Sequence, residues 1–177
     1  ILYLWQGGLS FHGGLLGIVI AAIIISKLYK TTFFEISDLI CVSAPVGIFF
    51  GRISNFINGE LFGRPSNFLI GMKFPNADNQ YRHPSQLYEA FLEGLLLFII
   101  LNFLIFKFKK LKNPGIISGV FLMIYGLFRF TVEFTREPDI QLGFVYHFLT
   151  MGMILSLPMF LAGILILVIK SIKNDTR

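Results

Sequence analysis

A polar motif, GRISNFINGELFG at 51–63, directly follows the apolar run LICVSAPVGIFF. Its candidate binding residues are Arg52, Asn55, Asn58, Glu60 and Gly63. Arginine presents a rigid planar fork of donors, which grips phosphate or carboxylate at two points. One further helical turn would bring the side chains of Arg52 and Asn55 together. A lone arginine here would only snorkel toward the lipid headgroups, but that role leaves the neighbouring amides and carboxylate unexplained. The motif therefore favours a binding site.

A second polar motif, YGLFRFTVEFTRE at 125–137, ends an otherwise apolar segment. At 100° per residue, its polar side chains fall within about 80° of one another on one helix face. They are Tyr125, Arg129, Glu133 and Arg136. Ionisable groups inside a membrane segment are costly, so they indicate function. Arg129 and Glu133 can neutralise each other at this spacing. One carboxylate cannot neutralise two arginines, and we expect a surplus positive charge that faces an anion.

A histidine and two glutamates complete the candidate chemistry. His12, in GGLSFHGGLLG, can accept a proton at neutral pH, although a lone histidine is more often structural. Glu89 and Glu93 lie one turn apart after HPSQ, and they either hold the arginines or pair with other polar groups. The sequence has no GxxxxGK, HExxH, paired cysteines or aspartate-rich motif. We therefore expect no metal and no cofactor.

The elements that must position these residues are apolar. The chain of 177 residues is 55% hydrophobic and 14% charged, with a mean hydropathy of +0.74, whereas soluble domains carry about 25% charged residues. A backbone in hydrocarbon must satisfy its own hydrogen bonds, so long apolar segments predict helices. The predicted membrane spans are 13–29, 33–50, 87–106, 116–134 and 147–169. The sequence thus predicts one all-α domain, a polytopic membrane helix bundle with an outer loop region.

The basic residues form two groups of different kind. The loops at one end of the predicted helices hold eight lysines and one arginine. The opposite side, counted with Arg129, holds five arginines and one lysine. Lysines that flank helix ends are typical of the cytoplasmic side, so 51–86 and 135–146 are predicted to lie outside. The net charge of +5 therefore comes from lysines that indicate membrane topology and from arginines that indicate a site, and it does not indicate binding to nucleic acid.

The residues alone describe a helical membrane protein whose outer mouth suits a phosphate carried by a lipid. An enzyme that acts on a phospholipid fits this description. A transporter or flippase for an anionic lipid or metabolite also fits, because it would use membrane arginines as well. The sequence shows no internal repeat, and its polar residues cluster at one membrane face instead of tracing a path across it. These two observations favour the enzyme.

Five motifs in order resemble the prolipoprotein diacylglyceryl transferases of bacteria. They are GGLSFHGG, GRISNFINGELFG, HPSQLYE, YGLFRFTVEFTRE and TMGMILSLPM, and the resemblance covers nearly all of the chain. Met153 departs from the pattern, since the family would have glutamine there. The family's first helices and their tyrosine-containing segment are not in the sequence, so we expect a piece of a longer protein.

The resemblance implies a seven-helix fold, with five helices here, in the bacterial inner membrane and with a periplasmic active site. The implied reaction moves the diacylglyceryl group of phosphatidylglycerol to the lipobox cysteine thiol of a prolipoprotein. A thioether forms and glycerol phosphate leaves, which is the first step of lipoprotein maturation. By resemblance, His12 matches the family's histidine, and Arg52 and Arg129 grip the phosphate, with Arg136 in support. The implied substrate-binding residues also include Asn55, Asn58, Glu60, Gly63, Tyr125 and Glu133. Whether Arg129 grips phosphate or only holds Glu133 stays open, as does the identity of the base.

Overall fold

Five helices account for most of the fold in the computed structural model, which describes residues 11–138, 144–146 and 149–175. They are α1 (Phe11–Leu28), α2 (Phe33–Ile57), α3 (Ser85–Phe108), α4 (Ile116–Val132) and α5 (Met151–Asp175). Two short antiparallel strands, β1 (Phe144–Tyr146) and β2 (Leu149–Thr150), precede α5. Among the described helices α2, α3 and α5 are long and apolar enough to cross a membrane, and α1 and α4 are shorter apolar helices. The predicted all-α membrane bundle is confirmed, whereas the five spans and the single domain stay predictions.

Helix α2 begins at a capping box and continues past the end that the hydropathy pattern predicts. The Thr32 hydroxyl accepts from the Glu35 amide, and the Glu35 carboxylate accepts from the Thr32 amide, which satisfies two orphan donors of the helix start. The helix then runs through Pro45 and ends at Ile57 rather than at residue 50. Its last two turns therefore carry Arg52 as part of a continuous helix.

Asp38, an acidic residue within the apolar α2, caps the start of α4. Its carboxylate accepts from the backbone amides of Gly115 at 2.7 Å and Ser118 at 2.8 Å, and also from the Ser118 hydroxyl. A negative charge at a helix N-terminus satisfies unpaired N–H groups and complements the helix dipole. The side chain is 1% exposed, so this cap joins α2 to α4 inside the bundle.

Helix α3 contains a π-helical segment, Ala90–Leu96, between α-helical turns. A Cβ atom added to Gly94 in this segment would lie 2.7 Å from the Cβ of Phe49, so glycine lets α3 approach α2 closely. Such π-bulges occur frequently at functional sites. Here the segment directly follows Glu89 and contains Glu93, both of which are buried.

The apolar core lies between α3 and α4. Its buried side chains are Leu97, Leu101, Ile117 and Val120. Helix α5 packs along α4 at glycine contacts, since a Cβ on Gly126 would meet the Ser156 carbonyl oxygen at 2.8 Å. Small residues at such crossings let membrane helices approach closely, and this contact fixes α5 beside the polar end of α4.

Residues 58–84, here called the head loop, connect α2 to α3. Short backbone pairings organise the loop: the Gly63 amide donates to the His83 carbonyl, and the Met72 and Arg82 backbones exchange two hydrogen bonds. The loop also contacts the end of α4, because the Arg64 amide donates to the Thr135 carbonyl at 2.9 Å. The head loop is thus tied to the helix that carries the second polar motif.

Candidate functional site

Three arginines and three glutamates form one ionic cluster where α2, α3 and α4 meet. The arginines are Arg52 from α2 and Arg129 and Arg136 from the second polar motif; the glutamates are Glu89, Glu93 and Glu133. The exposed fraction of the arginine side chains is 20%, 14% and 9%, respectively, and that of each glutamate is at most 5%. The structure therefore brings the two polar motifs, far apart in sequence, into one largely buried site.

Glu89 is the centre of this cluster. Its carboxylate lies 2.5 Å from Nε of Arg52, 3.2 Å from Nη1 of Arg129 and 3.4 Å from Nη1 of Arg136. Of the two roles open to Glu89 from sequence, the structure shows that it holds the arginines. One carboxylate thus links three helical segments through charge–charge contacts.

Arg129 and Glu133 form the predicted pair one helical turn apart, with 2.7 Å between Nη2 and Oε2. The other glutamate oxygen accepts a hydrogen bond from the Thr150 hydroxyl at 2.9 Å. A Cβ added to Gly152 would lie 2.5 to 2.6 Å from the carboxylate atoms of Glu133, so a larger residue would displace it. The start of α5 therefore positions Glu133, which in turn orients Arg129.

The expected surplus of positive charge is wrong. Glu89 and Glu93 reach the cluster from α3, and three carboxylates face three guanidinium groups. The prediction counted charges along one helix, whereas the balancing charges lie on its neighbour. A buried charge must be paired to be tolerated, and the carboxylates from α3 provide this pairing for the arginines.

Charge balance leaves some hydrogen-bonding capacity unused. Nη1 of Arg129 lies within ion-pair distance of two glutamates, but it makes no hydrogen bond to any residue that the structure describes. Both oxygens of Glu93 lack a hydrogen-bond donor in the same part of the chain. Buried polar groups are almost always hydrogen-bonded. The cluster can therefore accept a further polar partner, and Arg129 offers that partner a charged donor.

Gly63 and Arg64 contact the C-terminal end of α4 next to this cluster. A Cβ on Gly63 would lie 2.4 Å from the Thr135 carbonyl oxygen and 2.6 Å from that of His83, so only glycine fits between the two segments. The Arg64 side chain donates to the backbone carbonyls of Arg136 at 2.8 Å and Glu133 at 3.3 Å. These bonds cap the helix C-terminus, where carbonyls lack intrahelical partners. Gly63 thus has a structural role beside the site.

The four remaining predicted binding residues fall into two groups in the structure, one near the ionic cluster and one exposed to solvent. Asn55 is half-buried on α2, one turn after Arg52, as the spacing predicts. Asn58 caps α2 and is exposed, and Glu60 is exposed in the head loop. Tyr125 stacks on Phe121 with ring centroids 5.6 Å apart, one turn before Arg129. Asn55 and Tyr125 therefore lie one helical turn from arginines of the cluster, while Asn58 and Glu60 are exposed. The roles assigned to all four stay predictions.

His12 is the second residue of α1, and its side chain lies outside the described residues, as does the whole of His147. Met153, where the family pattern has glutamine, is 1% exposed, and its amide donates to the Thr150 hydroxyl. Among the residues that the structure describes, no three histidine, cysteine, aspartate or glutamate side chains are arranged to hold a metal ion.

Sequence reasoning missed two positioning residues, Thr150 and Gly152. Both lie in the motif TMGMILSLPM, just before and within the first turn of α5. Threonine before a helix start predicts a cap, and the Met153 amide does donate to it. Their contact with Glu133 depends on how α5 packs, and no local pattern reports that.

Comparisons with known proteins show the family of this chain. A model of the prolipoprotein diacylglyceryl transferase family matches residues 1–169. The phosphatidylglycerol–prolipoprotein diacylglyceryl transferase of Rickettsia bellii (strain OSU 85-389) is 51% identical over 177 residues, which is 100% of this chain and 67% of the relative. The proteins of the same name from Rickettsia akari (strain Hartford) and Rickettsia rickettsii (strain Sheila Smith) are 55% and 56% identical over 163 residues. That overlap covers 92% of this chain and 63% of each relative.

The chain thus spans about two thirds of the length of these relatives. The five-motif resemblance is confirmed by the family match and by identities above one half. The apolar helices agree with a membrane protein, and the relatives' name favours the transferase over the transporter. The chain therefore belongs to the prolipoprotein diacylglyceryl transferase family, a family of membrane transferases in lipoprotein biosynthesis.

Proposed function

We propose that the full-length protein transfers the diacylglyceryl group of phosphatidylglycerol to the lipobox cysteine of prolipoproteins. The observation that supports this most is the buried cluster in which Arg52 and Arg129, from two separate motifs, converge on Glu89. A transferase that releases a phosphate group needs preorganised positive charge where negative charge develops. The guanidinium groups of the cluster supply charged donors from helices, which position them more precisely than a loop would.

The phosphate of the lipid enters beside Arg52 and Arg129. Arg52 is the most exposed arginine of the cluster, and Nη1 of Arg129 has no hydrogen bond among the described residues. Arg52 is therefore partly open to a ligand, and Nη1 of Arg129, although buried, can donate to a further acceptor without loss of the ion pairs that Glu89 and Glu133 make. Charge-assisted bonds from arginine to phosphate are about twice as strong as neutral hydrogen bonds.

The chemical step exchanges one bond for another at the glyceryl carbon that carries the phosphate. The lipobox thiol loses its proton, and its thiolate attacks this carbon; the carbon–oxygen bond breaks as the carbon–sulfur bond forms. Glycerol phosphate leaves with the electron pair on its phosphate oxygen. The phosphate thus gains one negative charge as it changes from a diester to a monoester, and the arginines stabilise this change.

A base must take the thiol proton, because the thiolate is the nucleophile. We assign this role to His12, which lies at the start of α1. Asn55, Tyr125 and Glu133 orient the headgroup and the arginines in this proposal. We place the reaction at the outer, periplasmic face of the inner membrane, because the arginine cluster lies opposite the lysine-rich loops.

The test is mass spectrometry of a lipobox peptide incubated with phosphatidylglycerol and the full-length protein. We expect a gain of one diacylglyceryl mass with the parent, and its loss with Arg52→Ala and Arg129→Ala. Arg52→Lys keeps the charge but loses the bidentate fork, so it should restore part of the activity. Lys107→Ala is the matched control, because this exposed cation ends α3 on the opposite side.

The outcomes separate the alternatives. No mass gain with a folded parent, together with lipid movement across vesicles, would replace the transferase with the transporter. A mass gain that Arg52→Ala leaves unchanged would keep the transferase and remove Arg52 from the phosphate site.

A further inference from the structure

Three consecutive apolar residues form the tip of a tight turn in the head loop. Phe68, Leu69 and Ile70 are 61%, 100% and 51% exposed. The Gly71 amide donates to the Phe68 carbonyl at 2.8 Å, which closes the turn, and the Ser66 hydroxyl accepts from the Phe68 amide. The turn is not part of any predicted span or described helix, so its apolar exposure needs another explanation.

The turn is held in place from both sides. On one side the Ser66 amide donates to the Tyr81 carbonyl at 2.8 Å. On the other side the Met72 and Arg82 backbones exchange hydrogen bonds of 3.0 and 2.9 Å. Arg82 itself is fixed by its ion pairs with Asp78 at 2.9 Å and Glu137 at 3.0 Å. The apolar tip therefore projects from an ordered frame, and its exposure is not a consequence of fraying.

The surroundings of the tip fit a lipid surface. The head loop leaves α2 and returns to α3, two helices long and apolar enough to span a membrane, so it lies near the membrane surface. Segment 61–77 holds two cations, Arg64 and Lys73, and no acidic residue. Cations beside an apolar tip are attracted to anionic phospholipids. A convex tip also inserts into a fluid bilayer more readily than it encloses an extended peptide.

We propose that the turn Phe68–Ile70 inserts into the headgroup boundary of the leaflet that faces the head loop. The apolar side chains leave water, and the exposed Lys73 lies at the level of the lipid phosphates. The inserted turn anchors the frame that also carries Gly63, and so fixes the head loop beside the outer end of α4. This inference rests on the membrane location of the chain and is independent of the proposed reaction.

The test measures whether lipid chains reach the tip. The full-length protein, with its native tryptophans replaced by phenylalanine, carries Leu69→Trp and is reconstituted in phosphatidylethanolamine–phosphatidylglycerol vesicles. Half of the samples contain lipids brominated near the top of the acyl chains, which quench tryptophan on contact. We expect Leu69→Trp to lose most of its fluorescence in brominated vesicles. The matched control, Asn79→Trp, lies on an exposed part of the same loop and should keep its fluorescence.

If Leu69→Trp keeps its fluorescence in brominated vesicles, as Asn79→Trp does, the proposal is overturned, because the tip then lies in water. Quenching or a blue shift of Leu69→Trp that depends on added prolipoprotein signal peptide would also overturn it, in favour of a peptide-binding surface. Leu69 is fully exposed, so its replacement leaves the packing intact. Melting temperatures of both variants that match the background confirm that the comparison reports on folded protein.

Discussion

Glu89 offers the sharpest test of the ionic cluster, because a single carboxylate faces three guanidinium groups. Glu89→Gln keeps the size of the side chain and removes its charge, leaving three arginines and two glutamates. Removal of one partner from a buried ion pair costs about 3 to 5 kcal/mol. Glu89 is 1% exposed and contacts Arg52, Arg129 and Arg136 within 3.4 Å, so we expect the upper end, about 5 kcal/mol.

The assay is thermal unfolding of the full-length protein in detergent micelles. For chains of this size 1 kcal/mol shifts the melting temperature by about 2 to 4 °C, so Glu89→Gln should lower it by about 10 to 20 °C. Glu60→Gln is the control, since the same substitution in the head loop removes an exposed carboxylate. A shift for Glu89→Gln no larger than that of the control would refute the view that Glu89 holds the arginines.

Three further predictions follow from particular contacts. Gly152→Ala places a methyl group against the Glu133 carboxylate; we expect overpacking to cost about 1 to 3 kcal/mol, and an unchanged melting temperature would contradict the contact. Asp38→Ala removes the cap of α4 and should lower the free energy of unfolding by about 1 to 2 kcal/mol in the same assay. A loss of stability below a few tenths of a kcal/mol would refute the cap. A hydrogen bond from Arg82 lowers the pKa of Asp78. The Asp78–Arg82 pair therefore stabilises the head loop fully above about pH 4, and this stabilisation disappears as the pH falls through the lowered pKa. The head loop of the parent should therefore lose a little stability in acid, as measured by hydrogen exchange, and Asp78→Asn should abolish this loss. The same dependence of exchange on pH in both proteins would argue against the pair.

The sequence by itself determined the class of protein and the composition of its site. Long apolar segments predict helices because hydrocarbon forces the backbone to bond within each segment, and the described part of the chain contains five such helices. The spacing of Arg129 and Glu133 predicts their pairing, since residues four apart share a helix face. Order and content of the five motifs were enough to recognise the family. Each of these inferences depends on local residue patterns and their order along the chain, and none requires knowledge of how the helices pack.

Only the tertiary structure decided how the charges are balanced and what holds them. Glu89 reaches Arg52 and Arg129 across helix contacts, and Gly152 is required by the distance between α5 and the Glu133 carboxylate. Asp38 has no partner that the sequence of its apolar segment reveals, and its role is visible only once the first amides of α4 pack against it. These contacts join residues from about twenty to eighty positions apart, and helix crossing points, not periodicity, determine which side chains meet. The apolar tip of the head loop is likewise visible only once backbone pairing shows that its side chains project from an ordered frame.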